Sequence, residues 1–332
     1  MTALRPQCCT VIALVAGLLA TAPISAQQIK HGQRKQVMIR SSADGTEQPC
    51  FVIEPDKPVR NAEGAVPLLI ALHSWSGDYQ QRNQALEQAC VDEGWYYIHP
   101  NFRGQNSTPA ACGSELARQD ILDALAWARK QYHGDPKRIY LTGVSGGGHM
   151  TMLMAARHPE HWTACSAWVG ISDLAAWHAK HKGGRYGQMM RSACGGAPGD
   201  SAEVDREYHN RSPLPFLAAA KDLPLDIAAG VHDGHTGSVP IRQSLDAFNA
   251  IAKAREDKLI TEDEIQQLSR KNGKLERPLP SDQVEDATFN REIHLRRRSG
   301  PARVTIFEGG HEGIAPAAIA WLKSHVRDPQ KN

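Results

Sequence analysis

The stretch Gly143-Val144-Ser145-Gly146-Gly147 holds a serine with glycines two residues before and two after it, between an apolar run at 138–142 and a segment of helical period reaching about residue 157. A serine on a tight strand-to-helix turn presents its hydroxyl as a nucleophile, and glycines flank it because side chains there would clash with the strained backbone. The helix beyond aims its positive end at the nucleophile and at negative charge forming beside it. The stretch lacks the Lys-Ser/Thr ending of a phosphate loop and the full dinucleotide-binding glycine pattern. Small residues gather in ordinary turns too, but the bounding strand and helix favour a nucleophile elbow here.

Such a hydroxyl needs a base, and the base needs an orienting acid. Residues 225–231 are apolar and run into His232-Asp233-Gly234-His235, while 304–307 run into Glu308-Gly309-Gly310-His311-Glu312-Gly313. Asp233 then lies just beyond one strand and His311 on a glycine-rich loop before the last helix, in the chain order serine, acid, histidine. In these places His311 takes the serine proton, while Asp233 fixes the tautomer and stabilises the imidazolium. Rival residues have plainer readings. Asp173 suits the N-cap of a helix starting at Leu174, Asp226 sits at the wrong end of its strand, and His325 reads as a surface position on a helix. His232 and His235 read first as loop hydrogen bonders, with substrate contact as the alternative.

Negative charge on a substrate carbonyl calls for two backbone amides. One is expected from Gly146 and the other from the loop His73-Ser74-Trp75-Ser76-Gly77 after the apolar run at 68–72, with Trp75 preferred over Ser74. Around these lie Arg103, Trp168, Trp177, Arg185, Tyr186 and His235. Aromatic faces with nearby hydrogen bonders suit sugars or aromatic acyl groups, and an arginine suits a carboxylate. Packing of the core or lid is the competing role for Trp168 and Trp177.

The elements that must place these residues follow from periodicity. From residue 67 onward, short apolar runs at 68–72, 95–99, 138–142, 164–169, 225–231 and 304–307 alternate with helical segments at 83–93, 115–132, 238–254 and 315–325. This alternation predicts an α/β fold, a mostly parallel central sheet with helices on both faces. Residues 35–40 and 50–54 predict an opening hairpin. Residues 174–217 lack a sustained period and read as a lid inserted between strands; 255–301 form a polar second insertion with a short helix at 262–269 and an edge strand at 291–297.

The chain has 332 residues, 41% hydrophobic and 22% charged, with net charge +2, enough for one catalytic domain at 27–332. That balance points to no nucleic-acid partner. The run Arg296-Arg297-Arg298 reads as a solvated edge strand. At the start, Arg5 precedes an apolar stretch, residues 11–20, and small residues through Ala26, the layout of a signal peptide over 1–26. The stretch is too short for a retained span, so no stable membrane insertion is expected, and the chain reads as exported to the periplasm or beyond. Cys8 and Cys9 would leave with the leader. Cys50, Cys90, Cys112, Cys165 and Cys194 would remain, with pairing open, no C-x-x-C metal site and Cys165 as a small buried hydrophobe.

The segments Asn101-Phe-Arg-Gly, Asp135-Pro-Lys-Arg138-Ile-Tyr-Leu-Thr-Gly-Val-Ser145-Gly-Gly-Gly-His-Met, Asp233-Gly and Glu308-Gly-Gly-His311 resemble the catalytic domain of the prolyl oligopeptidase family and its secreted bacterial esterase relatives. The resemblance covers about residues 65–325. It implies the α/β-hydrolase fold and hydrolysis through an acyl-enzyme, without metal or organic cofactor. Three departures bear on substrate. The chain shows no long N-terminal region for a gating propeller and no Glu-Glu pair to hold a peptide amino terminus, and the insertion before the final strand lengthens the gap from acid to histidine. These favour a small-molecule ester, such as an acylated carbohydrate, over a peptide substrate. A non-catalytic binding protein keeping the fold is the third reading.

Overall fold

The computed structural model describes Met1 and residues 30–328, so the expected leader with Cys8 and Cys9 lies outside the described residues. The chain opens with strands β1 (Gly32–Arg40) and β2 (Glu47–Pro55), then β3 (Val66–Leu72), helix α1 (Gln84–Asp92), β4 (Tyr96–Pro100), α2 (Glu115–Tyr132), β5 (Gly134–Val144) and α3 (Gly146–Arg157). It continues through β6 (Ala164–Trp168), α4 (Leu174–His181), α5 (Arg185–Cys194), α6 (Ala202–Arg211), β7 (Leu225–Gly230), α7 (Arg242–Ala254), α8 (Glu262–Leu268), β8 (Ile293–Ser299), β9 (Ala302–Phe307) and α9 (Ala315–Lys323). Among the described residues no helix is long and apolar enough to cross a membrane.

The strands form one sheet in the order β1-β2-β4-β3-β5-β6-β7-β9-β8. Its centre is parallel from β4 through β9, while β1, β2 and β8 run antiparallel to their neighbours. Parallel strands are covered on both faces, which is why β3, β4, β6, β7 and β9 are buried at every residue. In β3, Leu68, Ile70 and Leu72 pack in one apolar layer with α2, α3 and α7, while Leu69 and Ala71 pack in the other with α1 and α9. The period-2 geometry of a strand thus feeds two helical layers at once.

Chain order reverses at the middle of the sheet. β3 is followed by β4 on one side, and the chain then returns to lay β5 on the other, with Leu72 beside Gly143. Crevices open at the carboxyl ends of strands at such a switch. β7 and β9 are likewise neighbours, with Gly230 beside Phe307, so the loops carrying Asp233 and His311 leave the sheet side by side.

Several expectations need correction. Residues 174–217 are not irregular: α4, α5 and α6 lie there, and Leu174, Trp177, Met190, Ala193 and Val204 pack with Trp75 in a third apolar cluster. The helix expected from residue 238 starts at Arg242, because Val239 donates its amide to Asp233 before the helix begins. The three arginines of β8 do line an edge strand, where Arg298 is exposed as expected but Arg296 and Arg297 are half-buried in ion pairs. Arg296 pairs with Asp286, Arg297 with Glu264 and Asp282, and Arg298 lies over the Trp321 ring. His325 sits past the end of α9 and packs on Trp321 rather than standing free, and burial lowers its pKa. Asp226 faces Arg303 across the strand pair, at 2.8 Å and fully buried, and also accepts from Ser166 on β6. It ties strands β6, β7 and β9 together. Arg303→Ala leaves that carboxylate buried and unpaired, and urea denaturation should show a loss of about 3–5 kcal/mol; an unchanged midpoint would show that the pair adds nothing.

Candidate active site

Ser145 follows directly on β5 and caps α3 with a backbone at φ +61° and ψ −116°, a region side chains rarely occupy. Its amide donates to the Trp168 carbonyl at 2.8 Å, and its carbonyl accepts from the His149 amide at 2.9 Å. The turn closes so tightly that a Cβ on Gly143 would lie 2.5 Å from the backbone of Gly147. Ser145 is only 8% exposed.

Asp233 and His311 are brought together. Asp233 accepts from His311 Nδ1 at 2.7 Å through one carboxylate oxygen, and through the other from the amides of Gly234 and Val239 at 2.9 and 3.1 Å. A buried carboxylate with three donors is fixed in direction. The histidine loop lies against the nucleophile's strand, since Gly313 packs on the Val144 side chain. Among the described residues neither the Ser145 hydroxyl nor His311 Nε2 has a hydrogen-bond partner, so each is left open for the other or for substrate.

The two expected amides also meet. A Cβ on Gly146 would stand 2.3 Å from the Trp75 nitrogen, so these backbones touch where the loop after β3 passes the start of α3. Ser74 is not the donor, because its amide is already given to Gln81 Oε1 at 2.8 Å. The Trp75 and Gly146 amides have no acceptor among the described residues, and the Trp75 carbonyl is held by the Asn106 amide at 3.0 Å.

The pocket residues fare differently. Arg103 is no carboxylate receptor: its guanidinium is engaged by Asp44, Asp120 and Ser41, which bind the opening hairpin to α2 and raise its pKa. The Trp168 ring does not reach a substrate either, being packed between Phe289 and Phe307 at 5.6 and 5.8 Å. Trp177 is buried edge-on against Trp75 at 4.7 Å and donates to the Ser238 carbonyl. Tyr186 is half-buried on the Trp177 ring at 5.0 Å. Arg185 is exposed at the start of α5. His235 is exposed and reaches the Ser269 carbonyl at 2.9 Å. Asp173 caps α4 through the Ala176 amide. His158, Glu160 and His161 bring potential metal ligands within 4.8 Å of one another, but at the far end of α3 from Ser145.

Glu308 was not singled out by sequence reasoning. It accepts from His232 at 2.7 Å and from His294 at 2.8 Å, and these contacts, that with His232 foremost, hold its carboxyl below the ordinary value. One carboxylate therefore spans the acid loop, the histidine loop and β8. Arg291, just before β8, adds a two-pronged bond to Glu312 at 2.6 and 2.9 Å, directly after His311. No local signal marks these groups, since the second insertion must fold back before its residues meet the site.

Comparison with known proteins follows the same lines. The model of the prolyl oligopeptidase family matches residues 83–263. An acetylxylan esterase of Coprinopsis cinerea is 28% identical over 164 residues, 46% of this chain and 42% of that protein. A probable acetylxylan esterase A of Aspergillus flavus is 37% identical over 114 residues, 31% of this chain and 37% of that one. The chain thus spans less than half the length of these curated relatives. The uncomplexed acylaminoacyl peptidase of Pyrococcus horikoshii superposes with TM-score 0.56 at 20% identity, over 70% of this chain and 36% of the peptidase. The fold is the α/β-hydrolase fold.

If the Glu308 carboxylate helps to set where His311 stands, Glu308→Gln should lower kcat for an ester about tenfold with KM nearly constant and melting temperature little changed, as small displacements of a catalytic group do. Because the Glu308 pKa is lowered, this support is full above the ordinary value of 4.5 and fades as pH falls through the lowered one. An unaltered kcat would show that the loops stand without it.

Proposed function

The chain belongs to the prolyl oligopeptidase family, and from that premise we propose that it hydrolyses carboxylic esters of acylated carbohydrates through an acyl-enzyme on Ser145. The observation that supports this most is the Asp233–His311 contact of 2.7 Å, its carboxylate anchored by two amides, beside a serine at the tip of a strained turn. His311 Nε2 takes the proton as the Ser145 Oγ attacks the ester carbonyl, and the oxygen gains negative charge between the Trp75 and Gly146 amides. The proton then passes to the leaving alcohol as the C–O bond breaks, leaving the acyl group on serine. Water repeats the sequence: His311 takes its proton, the carboxylic acid departs, and Ser145 recovers its own.

Among substrates, an acyl group on a plant polysaccharide is supported by the two esterase relatives, each of which bears the name acetylxylan esterase. Tyr186 at the lid supplies a half-buried aromatic face of the kind on which a sugar ring can lie. Peptide hydrolysis is the competing activity within the family. The leader-like residues 1–26 support export to the periplasm or the medium.

The deciding experiment is acetate release from acetylated xylo-oligosaccharides, run beside feruloyl esters and amino-terminal or proline-containing peptide anilides. The wild-type protein should release acetate, and Ser145→Ala should lose roughly 10³-fold or more of kcat together with fluorophosphonate labelling. Turnover of the anilides alone would make it a peptidase, and undiminished activity in Ser145→Ala would remove the serine mechanism altogether.

A further inference from the structure

The cysteines left open by sequence reasoning are resolved by their surroundings. All five among the described residues are buried. Cys50 on β2, Cys90 on α1 and Cys165 on β6 have no sulfur neighbour; burial raises all three pKa values, Cys50 to about 12, which makes them inert. Cys112 and Cys194 differ, since both side chains lie buried in one apolar cluster with Trp75 and Tyr208, near enough that each thiol shifts the titration of the other.

Their backbones are tied to other parts of the site. Cys194 is the last residue of α5, and Cys112 lies in the loop before α2 at φ +53°. The Cys112 amide donates to Asn106 Oδ1 at 2.9 Å, the Asn106 amide in turn holds the Trp75 carbonyl, and Arg211 at the end of α6 donates to the carbonyls of Ala111 and Cys112. The loop is thus fixed from both sides around Cys112.

We propose that Cys112 and Cys194 form a cystine in the mature protein, fastening the lid helix α5 to the loop that supports Trp75. Thiol–disulfide exchange suffices. Cys194, whose pKa is lowered by the Cys112 thiol donating to it, attacks a disulfide oxidant of the oxidised-glutathione or dithiol-oxidase class as thiolate and forms a mixed disulfide, expelling one thiolate. Cys112 then loses its proton and attacks the Cys194 sulfur, expelling the second thiolate. Two protons and two electrons leave the pair, and the oxidant is reduced to two thiols. The effect on catalysis rests on the reading of Trp75 as an oxyanion donor, whereas the bond itself does not.

The test uses the full chain, incubated with oxidised glutathione, alkylated in denaturant without reductant, digested and mass-mapped. Expected is a linked peptide pair containing Cys112 and Cys194, lighter by two hydrogens than the separate peptides, with Cys50, Cys90 and Cys165 alkylated. Recovery of Cys112 and Cys194 as alkylated thiols, or linkage to another cysteine, overturns the proposal. Dithiothreitol should lower the wild-type melting temperature by roughly 5 °C or more, to that of Cys194→Ser, which itself ignores the reductant. A wild-type melting temperature indifferent to reductant overturns the fastening role. Should Ser145→Ala keep its esterase activity while the linked peptides are still found, the serine mechanism fails and the cystine stands.

Discussion

The geometry depends first on one backbone conformation, that of Ser145 at φ +61°. Such a residue costs on the order of 1–3 kcal/mol, and it persists only where its surroundings overdetermine it. Here they do. The amide is held by the Trp168 carbonyl from the neighbouring strand β6, the carbonyl caps α3, and the approach of Gly143 to Gly147 leaves the turn no other way to close. The sheet pays for the strain through the register of β3, β5 and β6, which also sets the Trp75 backbone against Gly146. Ser145 and the Trp75 and Gly146 amides are consequently one construction rather than two.

The acid and histidine belong to a second construction. They leave adjacent strands β7 and β9, and Asp233 binds its own loop before it binds His311. What joins this pair to the rest is softer: the loop of His311 lies on Val144, and polar groups from the second insertion hold it from outside. The site is rigid on the serine side and strapped on the histidine side.

Legibility in the sequence followed the same division. The sheet was readable because fully buried parallel strands leave continuous apolar runs, as at Val66–Leu72 and Leu225–Gly230. Ser145, Asp233 and His311 could be singled out because each follows such a run at a turn rich in glycine. Pocket residues could not, since an aromatic or arginine side chain near a loop carries no mark of direction. Arg103 and Trp168 turned inward, one to two carboxylates and the other to two phenylalanines. The helices at 174–211 escaped notice because their apolar faces pack on one another and on Trp75, a partner far away in the chain. Glu308 escaped for the same reason, its meaning residing in His232 and His294.

The strap from β8 has a consequence for how the protein would wear out. Residues 255–301 are largely polar and contribute few side chains to the two sheet-covering cores, so this region can open locally at a lower free energy than the sheet beneath it. Heating or a protease cut in that excursion would free the imidazole's loop while every central strand stayed paired. Such a molecule would retain its shape in the far ultraviolet while the placement of His311 was lost, because its loop is held from outside by residues of that excursion.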